Sequence, residues 1–214
     1  MWAATPTIKS ITQTTIYQLS NKLKEIILKK TIKFLIILIT ILLLYFLMFK
    51  VVEVDKIVMK KIYPLKYTEY VEKYSKEYNI DSYMIYAIIK AESNFNENAK
   101  SNSNAIGLMQ IMEPTAKEIA EKIDLNITEE QLLEPELNIQ LGTKYFAGLL
   151  EKYNNNYKIA IIAYNAGIGN VDKWIKEGII KEDGTDLENV PFKETNNYVR
   201  KILRNYEIYK GLYQ

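Results

Sequence analysis

Asp81-Ser82-Tyr83-Met84-Ile85-Tyr86-Ala87-Ile88-Ile89-Lys90-Ala91-Glu92-Ser93 is the stretch from which the rest of the chain can be read. Ile85, Ile88, Ile89 and Glu92 fall at the i, i+3, i+4, i+7 spacing of one buried helix face, so a carboxylate stands where an apolar stripe should continue. Asp81 offers an N-cap oxygen for a helix from Ser82 to about Ser93, and Asn79-Ile80 makes the preceding turn. Near the C-terminal end of that helix Glu92 meets the negative pole of the macrodipole, and its apolar neighbours strip water from it. Both effects favour the neutral acid. A carboxylic acid still protonated near neutral pH can give its proton to a leaving oxygen, the requirement for breaking a glycosidic bond. Periodicity alone favours a plainer reading, a glutamate at a helix end that swings into solvent.

Outward from this helix, the chain reads as helix after helix, with no alternating strand pattern. Tyr67, Tyr70, Tyr74 and Tyr78 recur at spacings of three and four and mark a helix face before Asp81. Residues 94–106, with Asn94, Asn96, Asn98, Asn102 and Asn104, read as loop. A third helix opens around Pro114 and runs to about Ile123; a fourth follows Pro135 to Lys152. Lys158 to Ala166 is a short apolar helix stopped by Gly167, Val171 to Lys176 forms another, and Glu194 to Tyr209 closes the domain. The expected fold is all-α, a globule of roughly 150 residues.

The N-terminal part is different. Between Lys33 and Lys50 lie residues 34–49, whose only polar members are Thr40 and Tyr45. With flanking apolar residues the run reaches the roughly 20 residues of a membrane span, Lys33 and Lys50 snorkelling outward. The reading is an uncleaved signal anchor over 34–52, preceded by a tail at 1–33 and followed by a linker at 53–65. A cleaved signal peptide fits less well, because Val51-Val52-Glu53-Val54-Asp55 offers no small-residue cleavage site. Lysines flank the span evenly, so charge does not orient it. Residues 16–33 form an amphipathic lead-in, and the first fifteen, rich in Thr and without periodicity, are expected to be disordered.

Composition narrows the chemistry. The chain has 214 residues, no Cys and no His, which excludes disulfides, thiol nucleophiles, His-based triads and imidazole-ligated metals. Acid-base work must fall to carboxylates, Tyr or Lys. A net charge of +2 gives no reason to expect a nucleic-acid partner.

After Glu92-Ser93-Asn94-Phe95 come Ala99 and Ser101, then Gly107-Leu108-Met109-Gln110-Ile111-Met112 with Thr115-Ala116, then Ala163-Tyr164-Asn165-Ala166-Gly167, and last Glu194-Thr195 with Tyr198-Val199. In that order these motifs resemble the lytic transglycosylases of soluble lytic murein transglycosylase type, whose catalytic domain is goose-lysozyme-like; the resemblance covers about Tyr67 to Tyr209. It implies that Glu92 is the catalytic acid and then base, and that Ser101, Gln110, Met112, Tyr164, Glu194 and Tyr198 line a glycan groove, with Asn165 contributing. Each has a plainer reading: Met112 as core packing, Glu194 as a helix N-terminal charge, and Asn165-Ala166-Gly167 as a helix end. Two departures stand out. Pro114 is displaced by one residue after Met112-Glu113, and Asn104 stands where many relatives carry Gly; Asn tolerates a left-handed backbone better than most residues.

The resemblance further implies cleavage of the β-1,4 bond between N-acetylmuramic acid and N-acetylglucosamine in peptidoglycan, closing a 1,6-anhydro ring. No cofactor and no metal are implied. The partners expected are glycan strands and the cytoplasmic membrane, with residues 1–33 inside and the catalytic domain outside. Tethering would suit wall remodelling or an envelope or secretion complex, whose protein partner the sequence does not name. A hydrolytic muramidase of the same fold and a non-catalytic glycan-binding module are the alternatives.

Overall fold

The computed structural model describes residues 8–214. The chain divides into two compact units, Met1–Val58 and Met59–Gln214. The first helix, α1, runs Ile8–Ile62. Among the described residues it is the one helix long and apolar enough to cross a membrane. From Phe34 to Met48 its large apolar side chains are exposed. The one hydroxyl of Thr40 donates to the Ile36 carbonyl at 2.8 Å, so this polar group is satisfied on its own helix, as a lipid environment demands. One expectation needs correction. Residues 8–15 are helical rather than disordered, because extending an existing helix is far cheaper than nucleating one; residues 1–7 lie outside the described residues. Of the expected linker, 53–62 continues α1, its short lysine-rich run holding no Pro or Gly to break a helix.

The second unit is built from α2 (Thr68–Glu77), α3 (Ser82–Glu92), α4 (Glu113–Glu121), α5 (Pro135–Lys152), α6 (Tyr157–Ala166), α7 (Ile168–Lys176) and α8 (Lys193–Tyr213). At its centre lies α3, whose residues Met84 to Ile89 are all buried, the mark of a helix covered on every side. Asp81 caps it as expected, its carboxylate accepting from the Tyr83 N–H at 2.9 Å. α8 packs along α3, α6 packs on α8 and α5, and α2 closes the far side of α5.

One element was not legible in the sequence. Ala105–Ile106 (β1) and Ile111–Met112 (β2) pair antiparallel in the register Ala105 to Met112 and Ile106 to Ile111. Two-residue strands are too short to leave an alternating pattern. Gly107-Leu108-Met109-Gln110 is therefore the turn of a hairpin rather than a helix start, and α4 begins immediately after it at Glu113.

Candidate active site

Glu92 is the last residue of α3, half-buried, with the hairpin turn on one side and α8 on the other. Three tethers fix that helix end. The Ser93 hydroxyl lies 2.8 Å from the Leu108 carbonyl, joining the helix to the hairpin. Lys201 of α8 donates to the Ala91 carbonyl at 2.6 Å, satisfying one of the acceptors a helix C-terminus leaves open. Tyr198, also of α8, donates its hydroxyl to Glu92 Oε1. Burial raises the Glu92 carboxyl from its ordinary value to about 7, against the opposing pulls of the Tyr198 hydroxyl and the Lys201 ammonium. Desolvation wins because it acts on the whole charge, while each of the other two supplies one partial compensation. A sizeable fraction of the acid therefore keeps its proton at neutral pH.

Tyr164, on α6, donates to the Met109 carbonyl at 2.8 Å and so anchors the same hairpin turn. Its ring lies 5.3 Å from that of Tyr145 and edge-on to Phe146 at 6.1 Å. Burial, and next the charge of Glu92, hold both Tyr164 and Tyr198 well above the usual phenol range, so both remain donors. Glu92, Tyr198 and Tyr164 thus form one cluster.

The other expected residues surround it in different ways. Gln110 adopts a left-handed backbone, φ 47°, and its amide donates to the Gly107 and Ala99 carbonyls at 2.9 and 3.0 Å. Ser101 accepts from the N–H groups of Ala105 and Ser103 at 3.0 and 3.2 Å, bracing the loop before the hairpin. Asn104 is left-handed at φ 59°, a conformation its residue type tolerates. Met112 is 47% exposed at the hairpin's end, which removes it from the core. Asn165 is exposed and accepts from the Thr195 hydroxyl at 2.7 Å, tying the end of α6 to the start of α8. Glu194 is exposed in the first turn of α8, one turn before Tyr198 and on the same helix face.

Sequence reasoning missed the residue that shapes the turn. Asn138 of α5 is fully buried; its oxygen accepts from the Met109 N–H at 2.7 Å, and its amide donates to the Ile106 and Leu132 carbonyls at 2.9 and 2.8 Å. Asn138 stands between Leu137 and Ile139 on a helix that also carries Glu136 and Gln140, so the sequence neither marks it as buried nor names its partners. Gly107 completes the fit: at φ +78° it lies so close that a Cβ would stand 2.3 Å from the Asn138 amide nitrogen.

A helical domain that ends its central helix on one carboxylic acid of raised pKa, gripped by a tyrosine and close to a short hairpin, is a lysozyme-like domain. Residues 69–185 match the transglycosylase SLT domain, and the chain belongs to that family. It is 35% identical over 148 residues to the soluble lytic murein transglycosylase of Salmonella typhimurium, covering 68% of this chain and 23% of that protein. With the membrane-bound lytic murein transglycosylase C of Edwardsiella ictaluri it shares 37% over 169 residues, 69% of this chain and 47% of that one. Among solved structures, the 70 kDa soluble lytic transglycosylase of Escherichia coli superposes with a TM-score of 0.65 at 31% identity, covering 72% of this chain and 25% of that chain. The chain spans about a quarter of the length of the soluble relatives it matches.

Proposed function

We propose that the chain is a membrane-anchored peptidoglycan lytic transglycosylase: 1–33 as a cytoplasmic tail, 34–52 as the span, 53–65 as the connection and 66–214 as an extracytoplasmic catalytic domain. The observation that carries the reading is the placement of Glu92 at the end of α3 under the Tyr198 hydroxyl, where burial raises its carboxyl to about 7. Glu92 gives it to the glycosidic oxygen as the muramyl C1–O bond breaks, and the substrate's acetamido oxygen shields the cation-like centre. The carboxylate so formed, steadied by the Tyr198 hydroxyl, takes the proton of the muramyl C6 hydroxyl, whose oxygen closes on C1 to give the 1,6-anhydro ring. Proton and electron pair balance without water or a second carboxyl, unlike the paired acids of hydrolytic glycosidases. That fits this site, where the charge acting on Glu92 is the cation of Lys201 and Glu97 is engaged instead by the Tyr67 hydroxyl at 2.9 Å.

In this reading Gln110, Ser101, Met112, Asn165 and Glu194 bound the glycan groove, amides and hydroxyls meeting N-acetyl and ring hydroxyl groups while Met112 and the tyrosines offer apolar surface. The names of the soluble and membrane-bound murein transglycosylases among the relatives support the substrate and the anchoring alike. The test is mass spectrometry of the products released from cell-wall sacculi by the detergent-solubilised full chain. Anhydro-muropeptides are expected; reducing ends alone would make the protein a muramidase, and binding without release would make it a glycan-binding module.

A further inference from the structure

Beside the α8 stripe that carries Glu194 and Tyr198 runs a second one, Asn197, Arg200, Lys201 and Arg204, at helical spacing. With Tyr63 and Lys90 these residues line a groove of about 420 Å³, the size of a small-molecule site. Four cations therefore face one hollow. The ion pairs among the described residues include none of them. Three are fixed by neutral groups, which position a charge without cancelling it: Lys90 donates to the Ile62 carbonyl at 2.6 Å and the Asn94 side-chain oxygen at 2.5 Å, Lys201 to the Ala91 carbonyl at 2.6 Å, and Arg200 to the Asn196 side-chain oxygen at 2.8 Å. Arg200 and Arg204 are exposed. Lys90 is pulled below the usual lysine range by burial and then by the repulsion of Lys201 and Lys66. Such crowding is relieved by an anion.

The position of Lys201 indicates which anion. Its ammonium holds the carbonyl immediately before Glu92 and acts on the Glu92 carboxyl itself. Lys201 is thus shared between the groove and the surroundings of the reacting acid, so a part of the molecule being cut is the occupant that this placement favours. In peptidoglycan the muramyl sugar carries, through its lactyl ether, a peptide bearing glutamate carboxylates, and guanidinium forks match carboxylates in two-point geometry. Resting on the peptidoglycan reading above, we infer that the groove between α3 and α8 binds the carboxylates of this wall peptide, so that the enzyme engages peptide-bearing strands in preference to bare glycan.

The test is calorimetric binding of N-acetylmuramyl-L-alanyl-D-glutamate to the full chain in zwitterionic detergent, beside the same compound with its carboxylates capped as amides. The charged peptide is expected to bind about tenfold more tightly, and Arg200→Gln with Arg204→Gln to abolish that advantage while leaving the capped compound unchanged. Should the double variant melt early, Arg204→Gln alone gives the same comparison. Equal binding of the two compounds by the wild type overturns the inference. So does a groove that takes short-chain phosphatidylglycerol but does not discriminate the peptides, since it would then be a lipid-docking surface. The probe has no glycosidic bond to cut, so a chain that prefers the charged peptide yet fails to release anhydro products would sink the lyase reading and leave this one standing.

Discussion

At the scale of single residues, the activity reduces to where one proton resides. Burial lifts Glu92 to about 7, so its general-acid form is present below that pH and lost above it. The rate of release from sacculi is expected to fall as pH rises through about 7. The Tyr198 hydroxyl stabilises the ionised form, so Tyr198→Phe should move this alkaline limb upward as well as slow the second proton transfer; an unmoved limb would detach Tyr198 from the titration. The same shift has a stability consequence whose sign is fixed. Between the ordinary 4.5 and about 7 the unfolded chain releases the Glu92 proton while the folded chain retains it, so stability falls with rising pH and levels off above about 7. Glu92→Gln should abolish lysis and stabilise the protein by up to about 3 kcal/mol at pH 8, with little gain near pH 4, as urea melts at the two values will show. The helical position of Glu92 and its burial tendency were legible in residues 81–93. The identity of its partner was not, because Tyr198 lies more than a hundred residues away and only the packing of α8 on α3 brings the two together.

Among elements, the hairpin is the part least written in local sequence and most dependent on its surroundings. Helices announced themselves through apolar spacing and through Asp81, Pro114, Pro135 and Gly167 at their ends. The hairpin has two-residue strands and a turn with Gly107 and Gln110 both at positive φ, a shape that local preference opposes at Gln110. It is held from three directions: Ser93 just after α3, Asn138 on α5 and Tyr164 on α6 each bond to it. Asn138→Leu would leave the Met109 N–H and the Ile106 and Leu132 carbonyls buried without partners, and is expected to cost about 3 kcal/mol or more. Gly107→Ala should be comparably damaging, since the new methyl collides with Asn138 and the Leu132 carbonyl on a left-handed backbone. Denaturant midpoints measure both. A loss under about 1 kcal/mol for Asn138→Leu would show that the turn is held mainly by other contacts. Lysis should fall further than stability in each case, because the turn that moves is the one that faces Glu92.

For the whole molecule, the question under the proposed function is what a wall-cutting domain would gain from a chain that also carries α1. A soluble enzyme samples the entire wall; one on a span cuts only within reach of the bilayer, so its local substrate concentration is set by the connection that follows the span. The candidate span was legible because a lipid-facing helix must be apolar on every side, a pattern no surface helix of a soluble domain shows. How far the helix continues was not, since lysine-rich 53–62 is equally compatible with helix and coil. If residues 34–52 lie in the bilayer, Leu42 sits near its centre, with Lys33 and Lys50 toward the two faces. A single arginine there costs about 2.5–3.5 kcal/mol of insertion free energy. Leu42→Arg together with Leu38→Arg should therefore shift the chain from the alkaline-washed membrane pellet toward the supernatant. Because the second unit has its own apolar core, spanning Val71 to Tyr209, Glu92-dependent release from isolated sacculi should persist in the displaced protein. Retention of the double variant in the washed pellet would mean that some other part of the chain holds it to the membrane.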